Sequence, residues 1–379
     1  MPPSIRIEDL LAVTGGRLLA PTAVETFAGA SVDSRHVLPG SLFVALPGER
    51  DDGHRFVADA LTAGAIAALV ARPDVGRDVG IGPGLGDSNA PDAARRVRNA
   101  ALVLVPDTLH ALQELAAWWR SRSAVRVVGI TGSTGKTLAK EVVADVLSRG
   151  HRVLRNEGNL NSETGLPMTL LRLEPAHELA VLEMSMYTVG EIARLADIAR
   201  PDVGVVLAVH ATHLERAGSI ERIAQAKAEL PASLPADGLA VLNADDQRVA
   251  AMRSKTRAAV RTFGMGVDAD VRATEVVGRG LAGTEFLLVT PWGTRRVVSA
   301  NPGRHLVPHA LAAAAVAERY GIPLDEVAAA LAAGSSAPHR MALVESASGA
   351  TMVDDTYNAS PVSVGAALDF LAETPLPDG

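Results

Sequence analysis

The sequence contains no cysteine among its 379 residues, which excludes disulfide bonds, cysteine zinc sites and thiol catalysis. Aromatic residues make up only 3% of the chain and no run of basic residues is present, so we expect no extended contact with nucleic acid. No apolar run reaches about 18 residues and no basic-then-apolar segment opens the chain, so neither a membrane span nor a signal peptide is predicted. With a net charge of −7 and 48% hydrophobic residues, the composition is typical of a cytoplasmic enzyme.

Lysine is also scarce, since only four of the 36 basic residues are lysines: Lys136, Lys140, Lys227 and Lys255. Arginine replaces lysine at most surface positions, but it cannot supply a compact ammonium or an amine that loses its proton and becomes modified. Lys136 belongs to a motif described next, and Lys227 stays open. For Lys140 and Lys255, survival by chance is an equal alternative.

A glycine-rich turn connects a predicted strand to a predicted helix in the stretch "VRVVGITGSTGKTLAKEVVADVL". Such a turn directs backbone N–H groups and a helix N-terminus at one small volume, which suits phosphate. Lys136 adds positive charge, and the hydroxyl of Thr137 is a ligand for Mg²⁺. Ile130 occupies the place of the usual first glycine, so the motif is the variant T-G-x-x-G-K-T. The turn therefore predicts a nucleotide-binding P-loop.

The order of predicted elements indicates an α/β fold with a parallel sheet flanked by helices. Strands are predicted at 125–130, 179–184, 203–209 and 239–242, with helices between them. An antiparallel addition is predicted at 269–298, and helices follow near 306–319 and 324–333. The stretch 76–100 has little periodicity and is predicted to be a flexible surface insertion.

Three polar residues follow the predicted central strands, where the ligands of open α/β sheets gather. Glu183 ends the strand "ELAVLEM" and is a candidate Mg²⁺ ligand. His210 and His213 lie in "VHATHLE" after the next strand, and a histidine beside a carboxylate is a plausible part of a metal shell. A structural role is the more common fate of a single loop histidine.

Taken together, these stretches resemble the Mur ligase family, and the match runs through nearly the whole chain. The segments that carry it include "VDSRHVLPGSLFVAL", "DGHRF", "GITGSTGKT", "GNLNSETGLPMTLL", "EMSMYTVGEI", "LNADD", "GRHLVPHALAAAAVA" and "DDTYNASP". The resemblance is closest to the branch that adds D-Ala-D-Ala. It implies a multidomain architecture with a UDP-sugar-binding domain at 1–120, a P-loop ATPase-type central domain at 121–336 and the start of a C-terminal domain at 337–379.

The resemblance implies roles for individual residues. Catalysis would depend on Lys136, Glu183, His213 and Lys227. ATP would be bound by Gly132, Ser133, Thr134, Gly135, Lys136, Thr137, Asn243, Asp245, Arg340 and Asp355. The UDP-sugar and the acyl substrate would be bound by Ser34, Arg35, Asn159, Asn161, Glu163 and Asn358. Mg²⁺ would be held by Thr137, Glu183, His213 and, as a carbamate, Lys227.

The implied reaction belongs to peptidoglycan-precursor synthesis. The carboxylate of UDP-MurNAc-tripeptide attacks the γ-phosphate of ATP, and the amine of D-Ala-D-Ala then displaces phosphate from the acyl phosphate. ATP and Mg²⁺ are the implied cofactors, with no nucleic-acid partner. The oligomeric state is not given by the residues, and a monomer is the default expectation.

Several positions depart from the family pattern. Ala208 and His210 replace the usual asparagine and glycine, and Leu306 and His309 replace two asparagines near the expected nucleotide base. The chain also stops at Gly379, one helix after "DDTYNASP", where the family's C-terminal domain runs on. It is therefore expected to be a fragment, to be completed by a partner chain, or to come from a decaying gene.

Two other functions stay open at this point. One is a Mur-type ligase for a different amine, and the other is a truncated, catalytically impaired protein that binds ATP or a UDP-sugar. We expect the 379-residue chain alone to be ligase-inactive or nearly so while it still binds UDP-sugar. Phosphate release that requires both substrates separates the alternatives.

Overall fold

The computed structural model describes residues 4–48, 51–79, 97, 99–211, 218–335 and 337–374, which divide into two compact units. The first unit comprises Met1–Ala124 and Glu163–Ala176, and the second comprises Val125–Ser162 and His177–Gly379. The fold is α/β, as predicted, with mostly parallel sheets flanked by helices. The three predicted domains stay a prediction, because these units are defined by packing alone.

The first unit contains a five-stranded sheet in the order β2-β7-β6-β5-β4, in which β4 to β7 are parallel and β2 is antiparallel. A separate antiparallel pair is formed by β1 and β3. The strands of the first unit are β1 (Ile5–Arg6), β2 (Arg17–Leu18), β3 (Thr26–Phe27), β4 (Ala30–Ser31), β5 (Leu42–Val44), β6 (Ala67–Val70) and β7 (Ala101–Leu104).

The helices of the first unit bury apolar side chains in its core. They are α1 (Ile7–Thr14), α2 (Val57–Ala63), α3 (Val75–Asp78), α4 (Thr108–Ser121) and α6 (Gly165–Leu170), with short 3₁₀ turns at Ser34–His36 and Gly53–Phe56. Most of the predicted insertion 76–100 lies outside the described residues.

The second unit is built on a nine-stranded sheet in the order β16-β15-β14-β13-β12-β11-β8-β10-β9. The strands β8 to β14 all pair in parallel with their neighbours among them. β15 pairs antiparallel with β14, and β16 pairs antiparallel with β15. They are β8 (Arg126–Thr131), β9 (Val153–Arg155), β10 (Leu179–Glu183), β11 (Val203–Val206), β12 (Leu239–Asn243), β13 (Ala259–Gly264), β14 (Val271–Gly278), β15 (Thr284–Thr290) and β16 (Gly293–Ser299).

The strands predicted from the sequence are confirmed, although β11 ends at Val206 rather than at residue 209. The predicted antiparallel addition at 269–298 is also confirmed as β14 to β16. The strand β8 lies between β10 and β11, so the chain crosses to opposite sides of β8 as it forms its neighbours. Such a change of direction leaves a crevice at the carboxyl ends of the strands, where ligands bind in open α/β sheets.

The helices of the second unit pack on both the central strands and each other. They are α5 (Lys136–Leu147), α7 (Glu191–Ala199), α8 (Ile220–Ser233), α9 (Gln247–Ala250), α10 (Val307–Arg319), α11 (Leu324–Ala333) and α12 (Pro361–Glu373), with 3₁₀ turns at Ala251–Lys255, Gly280–Ala282 and Arg304–Leu306. The bounds of α10 and α11 confirm the two helices predicted there. Among the described helices, none combines the length and apolar character needed to cross a bilayer.

Two glycines let α8 approach the sheet closely. A Cβ atom at Gly129 would lie 3.0 Å from Cδ1 of Leu230, and one at Gly204 would lie 3.0 Å from its Cγ. Glycine at these strand positions allows a close helix–strand contact. The contact fixes the height of α8 over the sheet and, with it, the position of Lys227.

The last described residues, 337–374, form what we call the hairpin–helix segment. It consists of an antiparallel hairpin, β17 (Ala342–Glu345) and β18 (Thr351–Asp354), followed by α12. Within it only Ala337, Met341 and Phe370 are buried. The segment therefore rests on the main core through few side chains.

Candidate functional site

The glycine-rich turn has the geometry that its sequence predicts. Strand β8 ends at Thr131, and α5 begins at Lys136 after Gly135, whose φ of 77° is in the left-handed region. A Cβ at Gly135 would lie 2.3 Å from Nε2 of His309, so this position requires glycine for both conformation and space. The open N-terminus of α5 is a ready site for an anion.

The loop after β11 is fastened to this turn through Ser133. The Ser133 backbone N–H donates to the Ala208 carbonyl at 2.8 Å, and its hydroxyl donates to the His210 carbonyl at 3.1 Å. The His210 N–H in turn donates to the Ser133 hydroxyl at 2.9 Å. The backbone of His210 therefore stabilises the P-loop. The sequence had suggested a different role for this residue, in which its side chain binds a metal ion.

A polar pocket lies where the N-termini of two helices converge. One is α5, and the other is α12, whose cap Ser360 exchanges hydrogen bonds with Ser363 in a capping box. Helix N-termini favour negative charge, so their convergence suits a polyphosphate. The pocket is lined by Ser133, Thr134, Gly135, Lys136, Thr137, Ala211, Arg340, Asn358, Ala359, Ser360, Pro361 and Ser363.

Two cationic side chains face this pocket. Lys136 Nζ donates to the Gly132 carbonyl at 3.0 Å, and burial lowers the pKa of Lys136, as does the charge of Arg340, while the charge of Glu183 raises it. The Arg340 guanidinium lies 4.3 Å from the centre of the Tyr357 ring, and its buried Nε has no hydrogen-bond partner. Both cations retain donors for a bound anion.

An apolar pocket adjoins the polar one, and the two share the lining residues Thr134, Gly135, Arg340 and Ser363. The apolar walls and a few polar groups suit a flat aromatic ring next to a phosphate chain. The pocket is lined by Thr134, Gly135, Leu138, Leu207, Ala208, His210, Asn243, Phe263, His305, Leu306, Pro308, His309, Arg340, Met341, Asp355, Val362, Ser363 and Ala366.

His309 contributes an unpaired nitrogen to the apolar pocket. Its Nδ1 is buried without a hydrogen-bond partner in the described part of the chain. Burial, and to a smaller extent the charge of His305, lowers the pKa of His309 to about 4, so its ring is neutral at pH 7. A departure from the family pattern noted in the sequence thus places an unpaired hydrogen-bonding group in this pocket.

Glu183 ends β10, the strand directly beside β8, and is 2% exposed. Its Oε1 accepts a hydrogen bond from Asn161 Nδ2 at 2.6 Å, whereas its buried Oε2 has no hydrogen-bond partner. An unpaired carboxylate oxygen is costly to bury. A divalent cation would satisfy this oxygen, so the donor chemistry fits a hard metal ion.

Lys227 on α8 is 3% exposed, and no described residue accepts a hydrogen bond from its Nζ. Burial, and then the charge of Lys136, lowers the pKa of Lys227 to about 7. A substantial fraction of this amine is therefore neutral near pH 7. Two lysines lie close enough to repel each other, which favours an added negative charge on one of them.

The other predicted metal ligands are less well defined. His213 lies outside the described residues. Within the described ranges, no group of three or more histidine, aspartate or glutamate residues has metal-binding geometry. Thr137 follows Lys136 at the start of α5 and lines the polar pocket.

Several predicted ligand-binding residues have other partners. Asn243 lines the apolar pocket and donates from Nδ2 to the Leu207 carbonyl at 2.8 Å. Asp245 lines neither pocket, because its two carboxylate oxygens accept the backbone N–H groups of Met265 and Gly266 at 2.6 and 2.9 Å. Asp355 lines the apolar pocket, where its Oδ1 accepts the Met341 N–H at 3.2 Å.

The predicted substrate-binding residues are spread over both units. Ser34 and Arg35 belong to the first unit, where Asp33 accepts hydrogen bonds from the Arg35 guanidinium at 2.6 and 2.9 Å. Asn159 is exposed in the second unit, and Glu163 is exposed in the first. Asn161 is half-buried and contacts Glu183, and Asn358 lines the polar pocket.

Sequence reasoning did not identify some of the polar groups around the site. Ser360 and Ser363 could have been found from the "SPVS" stretch, because serine before proline is typical of a helix start. His305 lies in a quoted motif but carried no predicted role. Asn156, which hydrogen-bonds the Glu183 backbone, has no local pattern that distinguishes it from other buried residues. The scarcity of lysine was the one sequence signal for Lys140, and it gave no role.

Comparisons with known proteins agree with this geometry. The family model of the Mur ligase middle domain matches residues 130–317, and that of the Mur ligase family catalytic domain matches residues 26–120. The UDP-N-acetylmuramoyl-tripeptide–D-alanyl-D-alanine ligase of Escherichia coli is 38% identical over 374 residues, which cover 98% of this chain and 77% of that ligase.

Two further relatives give the same result. The ligase of the same name from Mycobacterium tuberculosis is 42% identical over 349 residues, which cover 90% of this chain and 67% of that protein. The crystal structure of MurF from Acinetobacter baumannii superposes with a TM-score of 0.84 at 32% identity, covering 99% of this chain and 78% of that one.

Proposed function

This chain belongs to the Mur ligase family of acid–amino acid ligases. We propose that it catalyses the ATP-dependent addition of D-Ala-D-Ala to UDP-MurNAc-tripeptide. The resemblance identified from the sequence motifs is thereby confirmed at the level of the family. The particular amine and acyl substrates are part of the proposal. They rest on the names of relatives that are 38% and 42% identical.

The observation that carries the proposal is the pair of adjoining pockets at the carboxyl ends of the central strands. The polar pocket, with two helix N-termini and two cations, suits the phosphates of ATP. The apolar pocket beside it suits the adenine ring. Lys136 and Arg340 would neutralise charge on the transferring phosphoryl group, which is the main requirement for phosphoryl transfer.

Mg²⁺ fits the residues present because Glu183 Oε2 is buried without a partner. Glu183 and Thr137 would hold the ion, which would offset the negative charge of the ATP phosphates. His213 stays a prediction, since it lies outside the described residues.

Lys227 supports the proposed carbamate through its burial and its neighbour. A neutral Lys227 amine attacks CO₂ and releases one proton, which leaves a carbamate anion on Nζ. The pKa of about 7 makes the required neutral amine available at pH 7, and the new anion would pair with the positive charge of Lys136. Arginine could not take this role because its guanidinium keeps a fixed positive charge.

The proposed reaction brings together two anions that repel each other. The side chains around the polar pocket would hold the γ-phosphate in place while the substrate carboxylate attacks it, which yields an acyl phosphate and ADP. The amine of D-Ala-D-Ala then attacks the acyl carbon, phosphate leaves and the amine loses a proton. Positioning and charge neutralisation provide most of the acceleration in such a reaction.

The test is an assay of phosphate release by the purified chain with ATP, Mg²⁺ and each substrate added or omitted. Release that requires both UDP-MurNAc-tripeptide and D-Ala-D-Ala, even at a low rate, supports the proposal. Release with another amine but not with D-Ala-D-Ala assigns a ligase of different amine specificity. Binding of ATP and UDP-sugar without turnover by any amine assigns a binding protein.

A further inference from the structure

Lys140 is the second lysine of α5 and has no role in the proposed reaction. Its side chain is completely buried, with 0% exposed. Its Nζ donates to the Asn156 carbonyl at 2.5 Å and lies 2.6 Å from Oε1 of Glu141. Burial of an ammonium is costly unless it is paired and hydrogen-bonded, so these contacts fix the backbone of Asn156 tightly.

Asn156 connects Lys140 to the end of β10. Its buried side-chain Oδ1 accepts the Glu183 N–H at 2.9 Å, and its Nδ2 donates to the carbonyls of Leu160 and Glu183 at 2.9 and 3.3 Å. One amide thus holds the loop after β9 against the residue that ends β10. The backbone of Glu183 is fixed on both its N–H and its carbonyl side.

Asn161 fixes the carboxylate of the same residue. Its Nδ2 donates to Glu183 Oε1 at 2.6 Å, and its Oδ1 accepts the Ser185 hydroxyl at 3.1 Å. The Ser185 N–H also donates to the Asn161 carbonyl at 3.0 Å. A carboxylate only accepts hydrogen bonds, so Asn161 must present its N–H₂ to Glu183 and its oxygen to Ser185.

These contacts occupy Glu183 Oε1 and leave Oε2 without a partner. We propose that Lys140, Asn156 and Asn161 form a positioning relay that orients the Glu183 carboxylate for a divalent cation. In this relay Asn161 acts on the metal site through Glu183 and is not a substrate contact. The inference rests on the proposed function, because it assumes that a metal–nucleotide complex binds beside Glu183.

The relay is tested by measuring the affinity of the chain for Mn²⁺ in the presence of ADP, with electron paramagnetic resonance of free Mn²⁺. Partners that orient metal ligands typically contribute about 10- to 100-fold to metal affinity. We expect Asn161→Ala to weaken Mn²⁺ binding by roughly this factor, and Lys140→Met to weaken it by about 10-fold. Lys255→Met is the matched control, since Lys255 is exposed and should leave Mn²⁺ affinity unchanged.

The wild-type titration separates the relay from the proposed function. If the wild-type chain binds no Mn²⁺ with ADP, the proposed nucleotide site is wrong. If it binds Mn²⁺ and Asn161→Ala binds it equally well, the relay is overturned. Weaker equilibrium binding of UDP-MurNAc-tripeptide to Asn161→Ala, with unchanged Mn²⁺ affinity, would assign Asn161 to the substrate instead.

Stability controls keep the experiment decisive. Urea unfolding of each variant shows whether it folds at the titration temperature. If Lys140→Met does not fold, Ser185→Ala replaces it, because it removes only the hydroxyl that orients the Asn161 amide. We expect Ser185→Ala to weaken Mn²⁺ binding in the same direction as Asn161→Ala, and unchanged affinity in both variants would overturn the relay.

Discussion

The two sides of the polar pocket are built in different ways. The P-loop side joins β8 and α5, whose apolar side chains are buried in the main core. The opposite side is the hairpin–helix segment, which buries only three residues and leaves Leu343, Met352 and Leu368 exposed. Both sides nevertheless place polar groups in the same pocket.

The difference shows that ligand contacts and fold stability are supplied by different residues. Segments with few buried contacts open with low free energy, and the elements that close around ligands often come from them. Arg340 and Asn358 should therefore affect binding with little effect on global unfolding. On the P-loop side, substitutions of polar residues at the pocket should lower activity, and substitutions of buried apolar residues should lower the free energy of unfolding.

The largest expected effect belongs to Lys136→Ala. We expect ATP turnover to fall by roughly 100- to 1000-fold, because the variant removes a preorganised cation at the phosphates. The side chain is only partly buried, so its loss leaves no core cavity and the urea midpoint should stay unchanged. Wild-type turnover and ATP affinity in this variant would remove the P-loop assignment.

The stability contrast comes next and compares two buried apolar residues. Leu311→Ala on α10 should lower the free energy of unfolding by about 2–5 kcal/mol, because Leu311 is completely buried in the main core. Phe370→Ala should change global unfolding by less than about 1 kcal/mol, since the hairpin–helix segment can detach locally.

Limited proteolysis checks the same contrast. We expect Phe370→Ala to speed cleavage within residues 337–374 and Leu311→Ala to speed cleavage elsewhere only through global unfolding. Equal loss of global stability in the two variants would show that the segment unfolds together with the main core.

Substitutions of Lys227, on α8, test the proposed carbamate. Lys227→Ala should lose most ligase activity and regain part of it when short carboxylates are added, because these can replace the missing anion. Lys227→Arg should not be rescued, since a guanidinium puts a fixed cation in that place. Any residual wild-type turnover suffices for this comparison, and equal activity of Lys227→Arg would exclude the carbamate.

Arg340→Ala should weaken binding of a non-hydrolysable ATP analogue by roughly 10-fold or more, since it removes charge-assisted hydrogen bonds. Its urea midpoint should match that of the wild type. Arg253→Ala, at an exposed position, is the control for loss of one positive charge. A large loss of stability with unchanged analogue affinity would reverse the comparison between the two sides.

The smallest effect concerns pH. The pKa of Lys227 falls from 10.5 to about 7 on folding, so the unfolded chain binds more protons between these values. This contribution to stability should therefore rise with pH between about pH 7 and pH 10.5. Lys227→Met should flatten the rise measured by urea unfolding, whereas Lys255→Met should keep it.

The sequence by itself determined the P-loop, the order of the central strands and helices, and the antiparallel addition of β14 to β16. Each of these depends on turn chemistry or apolar periodicity within a short window, which the chain encodes locally. The scarcity of lysine also directed attention to positions where arginine would not serve, and two of them proved to be buried.

Tertiary structure decided which polar atoms meet. Asn156, Asn161 and Glu183 come together only because β9, β10 and β8 are neighbours in the sheet, and Asp245 has its oxygens occupied by the turn after β13. Arg340 reaches both pockets although it is about 200 residues from Lys136 in the chain. Such contacts depend on strand order and helix packing, and no local pattern specifies them because a hydrogen bond requires only that two distant residues arrive at the same place.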